Sequence, residues 1–334
     1  MRFTMDENKK REHFFIINPR SFPRRGDLEN FIKQVEKHFW RKRIPSLFYH
    51  VSRYPRDAIC VIRKYLAIST PDTTVRIYAV GGDGIVFDCL NGIVGLPNAE
   101  LAIMPFGGGS DFVRAFGDEH YDSFRDVALQ VAAPAIPTDI IHCGNNYALN
   151  FCTVGQESAA VMNAVALGKR FKQAKLMLPG LGSLFYILGG IAAAFEKNLC
   201  GQRYDLRADD LDYSGRYNNI NVANGPCYGS GKFPVATAMP NDGFLDMMVV
   251  RKIGPLTAFS LMRRYLRGKY YKHPRLCFLR RAKKITIRSD SPLLVNMDGE
   301  AFFDSHITIE IIPQAVKIVA VNNLSYRRRA EFHE

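Results

Sequence analysis

The sequence predicts an α/β domain built on a parallel sheet, followed by a second domain of mostly antiparallel strands. Three observations predict it. Apolar runs alternate with amphipathic helical stretches between residues 14 and 107. Glycine- or proline-containing turns (NPRS, GGDG, GGGSD) follow three of those runs. Beyond about residue 140 the alternation gives way to short strand-like runs separated by turn residues.

The first run, FFIIN (14–18), ends at an Asn-Pro turn and reads as a buried strand. DLENFIKQVEKHFW (27–40) places Leu28, Phe31, Ile32, Val35 and Phe39 at helical spacing, with Asp27 as the expected cap. SLFYHVS (46–52) is the next strand, PRDAICVIRKYLAI (55–68) the next helix. TVRIYAVGG (74–82), IVFDCLNGI (85–93) and ELAIMPFG (100–107) continue as strand, helix and strand. In the second half, NYALNFCTVG, RYDLRAD, RYNNINVAN, FPVATAMP, GFLDMMVVRK, KKITIRSD, LLVNMDG and HITIEIIP read as strands. Helical stretches interrupt them at 156–175, 181–198 and 255–268. The last strands, beginning near Asp298, are expected to return to the first domain. The expected division is 10–140, completed by 305–330, against 141–304.

Composition narrows the function classes. The chain has 334 residues, a formal charge of +13 and seven scattered cysteines with no CxxC pair. Reduced thiols and no transition-metal site are expected. Ten Lys or Arg and no acid lie between Arg263 and Lys284, and Arg327, Arg328 and Arg329 form a second cluster. Such faces attract polyanions. No RNP, zinc-finger or homeodomain signature accompanies them, so nucleic acid is not the expected partner. MLPGLGSLFYILGGIAAAF (177–195) is uncharged, yet Pro179 and its glycines argue for a buried helix rather than a membrane span.

The glycine turns carry the chemistry. Phosphate binding needs inward-pointing backbone N–H groups with no Cβ in the way, and a following helix adds its positive dipole end. GGDG meets those conditions, between a strand and a helix. Asp83 would hold Mg²⁺ or bond to backbone or sugar. PFGGGSDFVRAFG (105–117) repeats the design one strand later, with Asp111 in the first turn of a short helix and Arg114 projecting from it. Two such turns on neighbouring strands would enclose a polyphosphate. Neither GxxxxGK[ST] nor GxGxxG occurs.

These motifs resemble the diacylglycerol kinase catalytic-domain family, which includes sphingosine, ceramide and bacterial lipid kinases. GGDGIVFDCLNGI is similar to its GGDGT…E…NG motif, and PFGGGSDFVRAFG to its P-GT-ND-AR segment. The likeness continues through FFIINPRS, the Asp139…Asn150…Gly155 region, residues 218–250 and VNMDGE (295–300), in the family's order. It implies a Rossmann-like nucleotide-binding domain, a C-terminal β-sandwich and an active site in the cleft between them. It implies transfer of the γ-phosphoryl group of ATP, with Mg²⁺, to a lipid hydroxyl at an anionic membrane surface. The protein would be cytoplasmic and peripheral on the inner face, with no transmembrane segment; a homodimer is compatible with this. A non-catalytic lipid- or nucleotide-binding member and a kinase for a soluble acceptor such as NAD are the alternatives.

Residue by residue, the resemblance assigns the nucleotide to Asn18, Pro19, Arg20, Ser21, Phe22, Ser52, Gly81, Gly82, Asp83, Gly84, Ile85, Val86, Phe87, Gly107, Gly108, Gly109 and Asp139. Asp298 or Glu300 is the expected base, since alternate residues of a strand face one way; Asp83 and Asp111 join them as catalytic acids. A structural Mg²⁺ is implied at Asp242 with the carbonyls of Met239 and Phe244. The chain departs from the family at Ile85, Asp88, Gly108, Ser110 and Phe22, where Thr, Glu, Thr, Asn and Gly are usual. Each lost polar contact is expected to cost about 1–3 kcal/mol, with Arg20, Arg24 and Arg25 supplying compensating charge.

Overall fold

A computed structural model describes residues 11–24, 26–107, 110–173, 200–229, 231–265, 267–269 and 273–330. Arg25, Gly108, Gly109 and the apolar stretch 177–195 lie outside them. The chain forms two units, Met1–Thr138 with Gln314–Ser325, and Asp139–Pro313 with Tyr326–Glu334.

The first unit holds strands β1 (Arg11–Ile17), β2 (Leu47–Val51), β3 (Thr74–Gly81) and β4 (Ala99–Pro105). They pair in the order β2-β1-β3-β4, every pair parallel. Helices α1 (Asp27–Lys42), α2 (Asp57–Ile68) and α3 (Asp83–Ile93) connect them. Phe14 to Ile17, Ile77 to Val80 and Leu101 to Met104 are all buried. Strands covered on both faces read as continuous apolar runs, which is why they were legible. Asp27 does not cap α1. The cap position belongs to Gly26, at φ 89°, and Asp27 is the first helical residue, where its charge still favours the dipole. A short helix α4 (Val127–Ala132) follows, capped by Asp126.

Buried in this sheet is a polar row. Arg76, fully buried on β3, donates to its register partner Glu100 on β4 (2.9 and 2.7 Å) and to the carbonyls of Gln130 and Val131. His13, its neighbour on β1, hydrogen-bonds Tyr78 at 2.7 Å. Burial, with Arg76, Arg11 and His38 nearby, pushes the His13 pKa down to about 3. The unfolded imidazole takes its proton near pH 6.5 while the folded one does not, so the unfolded state binds more protons between those values. Stability contributed by this site is therefore lost as pH falls below about 6.5, at about 1.4 kcal/mol per pH unit. Urea melts of the wild type and His13→Phe should diverge with that slope; parallel pH profiles would contradict it.

β5 (Ala135–Cys143) leads into the second unit, where β6 (Asn146–Ala148), β7 (Phe151–Gly155) and helix α5 (Gln156–Gln173) follow. The remaining strands are β8 (Gln202–Ala208), β9 (Leu211–Asp212), β10 (Gly215–Ala223), β11 (Leu245–Arg251), β12 (Cys277–Ala282), β13 (Lys284–Met297) and β14 (Glu300–Val319). Helix α6 (Pro255–Tyr265) links β11 to β12. β10 and β13 each pair β8 through one part and β7 through the other, with register shifts between the parts. Such bulges let a long strand serve two layers. Beyond Pro313, β14 belongs to the first unit and sets Ile318 parallel to Leu101 of β4. FPVATAMP (233–240) is not a strand. Pro234 and Pro240 lack ladder donors, and Val235 and Ala238 instead pack with Met248 and Leu261. No helix among the described residues is long and apolar enough to cross a membrane.

Candidate active site

In the first unit the two glycine turns lie back to back at the carboxyl ends of β3 and β4. A Cβ on Gly107 would lie 2.5 Å from the Cα of Gly82 and 2.6 Å from its nitrogen. The N–H groups of Phe106 and Gly107 both donate to the Gly81 carbonyl at 3.1 Å. Asp83 braces the pair from the other side: its Oδ1 accepts from the N–H of Ser110 (2.7 Å) and of Asp111 (3.1 Å). Ser110 sits at φ 72° and donates its hydroxyl to the Gly81 carbonyl at 2.8 Å. So Asp83 bonds to backbone, one of the roles the sequence left open. Asp111 is 3% exposed and pairs with Arg114 at 3.5 Å.

What remains for a ligand is backbone. The first N–H groups of α3 have no partner within the helix, and Gly84 faces open space, with nothing within 4 Å of a would-be Cβ. Ile85, Val86 and Phe87 turn their side chains inward, at 4%, 6% and 1% exposure. Ile85 packs against Gly81, its Cγ2 2.8 Å from where a Cβ would sit. The missing threonine hydroxyl is thus not a lost contact on the exposed side of the turn. Asn18 accepts from the Arg20 N–H at 3.0 Å and caps a 3₁₀ turn, Pro19–Ser21. Phe22 lies 5.4 Å, ring to ring, from both Phe31 and Phe106, tying this turn to the end of β4. The Ser52 hydroxyl is bonded to Asp57 (2.7 Å), which also accepts from the Arg53 N–H and His50. Burial alone would raise the Asp57 pKa, but those hydrogen bonds outweigh it and leave it lowered. Asp88 accepts the Arg56 N–H at 3.0 Å and so fixes the start of α2.

The second unit holds the MDGE acids, in an arrangement the sequence did not foresee. Met297 pairs with Glu300, so Asp298 and Gly299 are the two residues of a tight hairpin, at φ 46° and 99°. Positive φ at both places is the hairpin's preferred geometry. Strand alternation therefore does not aim the two carboxylates together. Asp298 folds back and accepts from the N–H groups of Leu149 (2.7 Å), Asn150 (3.2 Å) and Phe151 (3.0 Å). Glu300 starts β14 and is partly exposed.

Asp139, 1% exposed on β5, accepts the Gly243 N–H at 2.8 Å. That holds the NDGF turn, but Asp242 in it is already paired with two guanidinium groups, Arg281 and Arg328. The Met239 carbonyl accepts the Asn241 N–H at 2.9 Å. A divalent cation at Asp242 would face both arginines, so the residues present do not fit one there. Among the described residues no cluster of His, Cys, Asp or Glu has the makings of a metal site.

Sequence reasoning missed a polar seam beside α5. Glu157 accepts from Asn219 (2.7 Å) and Asn221 (2.9 Å), and Asn221 also reaches the Tyr228 hydroxyl at 2.8 Å. Asn296, fully buried, has no hydrogen-bond partner on either side-chain atom. The alternating asparagines of RYNNINVAN were the available signal; they passed for an ordinary strand.

Comparison with known proteins agrees with these two units. The diacylglycerol kinase catalytic domain family matches residues 12–143, and the YegS C-terminal NAD kinase beta sandwich-like domain matches 163–320. A Staphylococcus aureus (strain N315) protein named "Putative lipid kinase SA0681" is 27% identical over 256 residues, 74% of this chain and 78% of its own. A crystal structure titled "putative diacylglycerol kinase" from Bacillus anthracis str. Sterne superposes with TM-score 0.70 at 22% identity, over 93% of this chain and 97% of that one. A second Bacillus anthracis structure gives 0.66 at 19% identity, over the same shares. With the glycine turns of the first unit and the β-sandwich-like second, this chain belongs to the diacylglycerol kinase catalytic-domain family.

Proposed function

We propose that the chain is an ATP-dependent lipid kinase that transfers the γ-phosphoryl group to a lipid hydroxyl. The observation that carries this reading is the pair of glycine turns locked back to back over the start of α3. Backbone N–H groups there receive the triphosphate, and Asp83 and Asp111 shape the turns rather than touch the reacting atoms. Mg²⁺ accompanies ATP and neutralises charge as the phosphoryl group moves. Glu300 takes the proton of the acceptor hydroxyl, because Asp298 already spends its carboxylate on three backbone N–H groups. The orphaned Asn296 amide offers a donor and an acceptor to the polar head of the acceptor. Basic residues of 263–284 place the enzyme on an anionic membrane surface.

Incubation with γ-labelled ATP, Mg²⁺ and a mixed lipid extract in detergent micelles tests the reading. A labelled lipid is expected. Label appearing only in phosphate or in a water-soluble acceptor would overturn it.

A further inference from the structure

Three segments far apart in sequence converge on one small basic pocket of the second unit. Phe233 and Ala236 come from the turn region before β11, Arg267, Gly268 and Lys269 from the loop after α6, and Arg329 and Ala330 from the C-terminal tail. The pocket encloses about 340 Å³, and no acidic residue lines it. That is the low end of ligand-pocket sizes, enough for a head group rather than a whole lipid.

The pocket is built rather than incidental. Gly268 adopts φ 65°, and a Cβ there would meet the Phe233 carbonyl at 2.8 Å and Ala236 at 2.9 Å. The Lys269 N–H donates to the Arg264 carbonyl at 2.8 Å, fixing the loop on the end of α6. On the opposite wall, the Arg329 guanidinium stacks on the Phe233 ring, 3.8 Å from its centroid. Stacking of this kind holds a guanidinium in place without neutralising it. The tail is held on both sides of Arg329, by Arg328 on Asp242 at 2.8 Å and by the Ala330 N–H on the Ala236 carbonyl at 3.1 Å. Arg281 and Arg328 therefore answer a carboxylate, whereas the walls of this pocket bring three cationic side chains together without one.

We infer that the pocket lined by Arg267, Lys269 and Arg329 binds the phosphate head group of an anionic glycerophospholipid. Guanidinium groups match a phosphate monoester in geometry as well as charge, and each basic residue at an anionic surface is worth about 1 kcal/mol. The inference rests on the membrane-surface reading above and narrows it from a charged face to one site with a head-group preference. It assigns the C-terminal tail a part in binding.

Vesicle sedimentation of the full chain without ATP tests it, using phosphatidylcholine vesicles doped with either phosphatidic acid or phosphatidylserine. The wild type should prefer phosphatidic acid at matched surface charge. The Arg267→Ala/Lys269→Ala double variant should lose that preference, with affinity down about 30-fold. Arg41→Ala/Lys42→Ala, which removes equal charge from the end of α1, should keep it. Soluble glycerol 3-phosphate should compete with the vesicles for the wild type, which reads the pocket apart from the membrane. Equal binding of both vesicle types, equal losses in both double variants, or no competition would each overturn the proposal. Failure of the kinase reading shows separately, as head-group binding that persists with no labelled lipid formed.

Discussion

Glu300→Gln is expected to lower kcat by about 10²- to 10⁴-fold, the usual worth of a positioned general base, with its melting temperature unchanged. Asp298→Asn should behave in the opposite way. Asp298 sits at the tip of the β13–β14 hairpin and collects the N–H groups of Leu149, Asn150 and Phe151 on its two oxygens. An amide in its place keeps one acceptor oxygen and turns an N–H₂ toward donors. Bonds to a charged acceptor are the strong ones, and their loss should cost about 2–3 kcal/mol. The variant should therefore melt earlier, and any fall in turnover should accompany that loss. The two neighbouring acids thus separate by readout, kcat for one and stability for the other. Full activity in Glu300→Gln would remove it from the chemistry. An unchanged melting temperature in Asp298→Asn would show that the three hydrogen bonds do not anchor the hairpin.

That division was invisible in the sequence for a physical reason. The donors that capture Asp298 lie roughly 150 residues earlier, so no local pattern marks them. The same holds for Asp242, whose partners Arg281 and Arg328 lie in stretches that looked like solvated basic surface. By contrast, β1 to β4 and α1 to α3 were legible, because buried parallel strands are continuous apolar runs and their helices keep one apolar stripe. Edge strands fared worse. β12 pairs only with β11 on the listed path of the sheet and carries Arg280 and Arg281, so it read as charge rather than strand. FPVATAMP failed in the other direction: its alternation mimics a strand, but its prolines and small buried residues make a packed turn. Motif reading located the glycine turns correctly and misjudged what their side chains do. Ile85 and Phe22, which looked like damaged phosphate contacts, are packing residues here.

Gly107→Ala and Gly84→Ala should divide the glycine turns into their two functions. At Gly107 an added methyl meets Gly82 backbone at 2.5 and 2.6 Å, a contact that no side-chain rotation relieves. The β4 turn must move off the β3 turn, pulling on the bonds from Phe106 and Gly107 to the Gly81 carbonyl and from Ser110 and Asp111 to Asp83. A loss of about 3 kcal/mol is expected, at the upper end of overpacking costs, together with loss of detectable ATP binding. Gly84 lies in the first turn of α3 with open space around it. Alanine there costs the fold nothing and adds up to about 1 kcal/mol of helix propensity. It also places a methyl where the backbone is proposed to meet phosphate. Gly84→Ala should therefore melt no lower than the wild type while binding ATP at least about 10-fold more weakly, a deficit near 1.4 kcal/mol. Calorimetric titration with ATP and Mg²⁺ reads both variants. If Gly84→Ala binds as tightly as the wild type, the triphosphate does not lie on this turn, and the kinase mechanism built on it fails there.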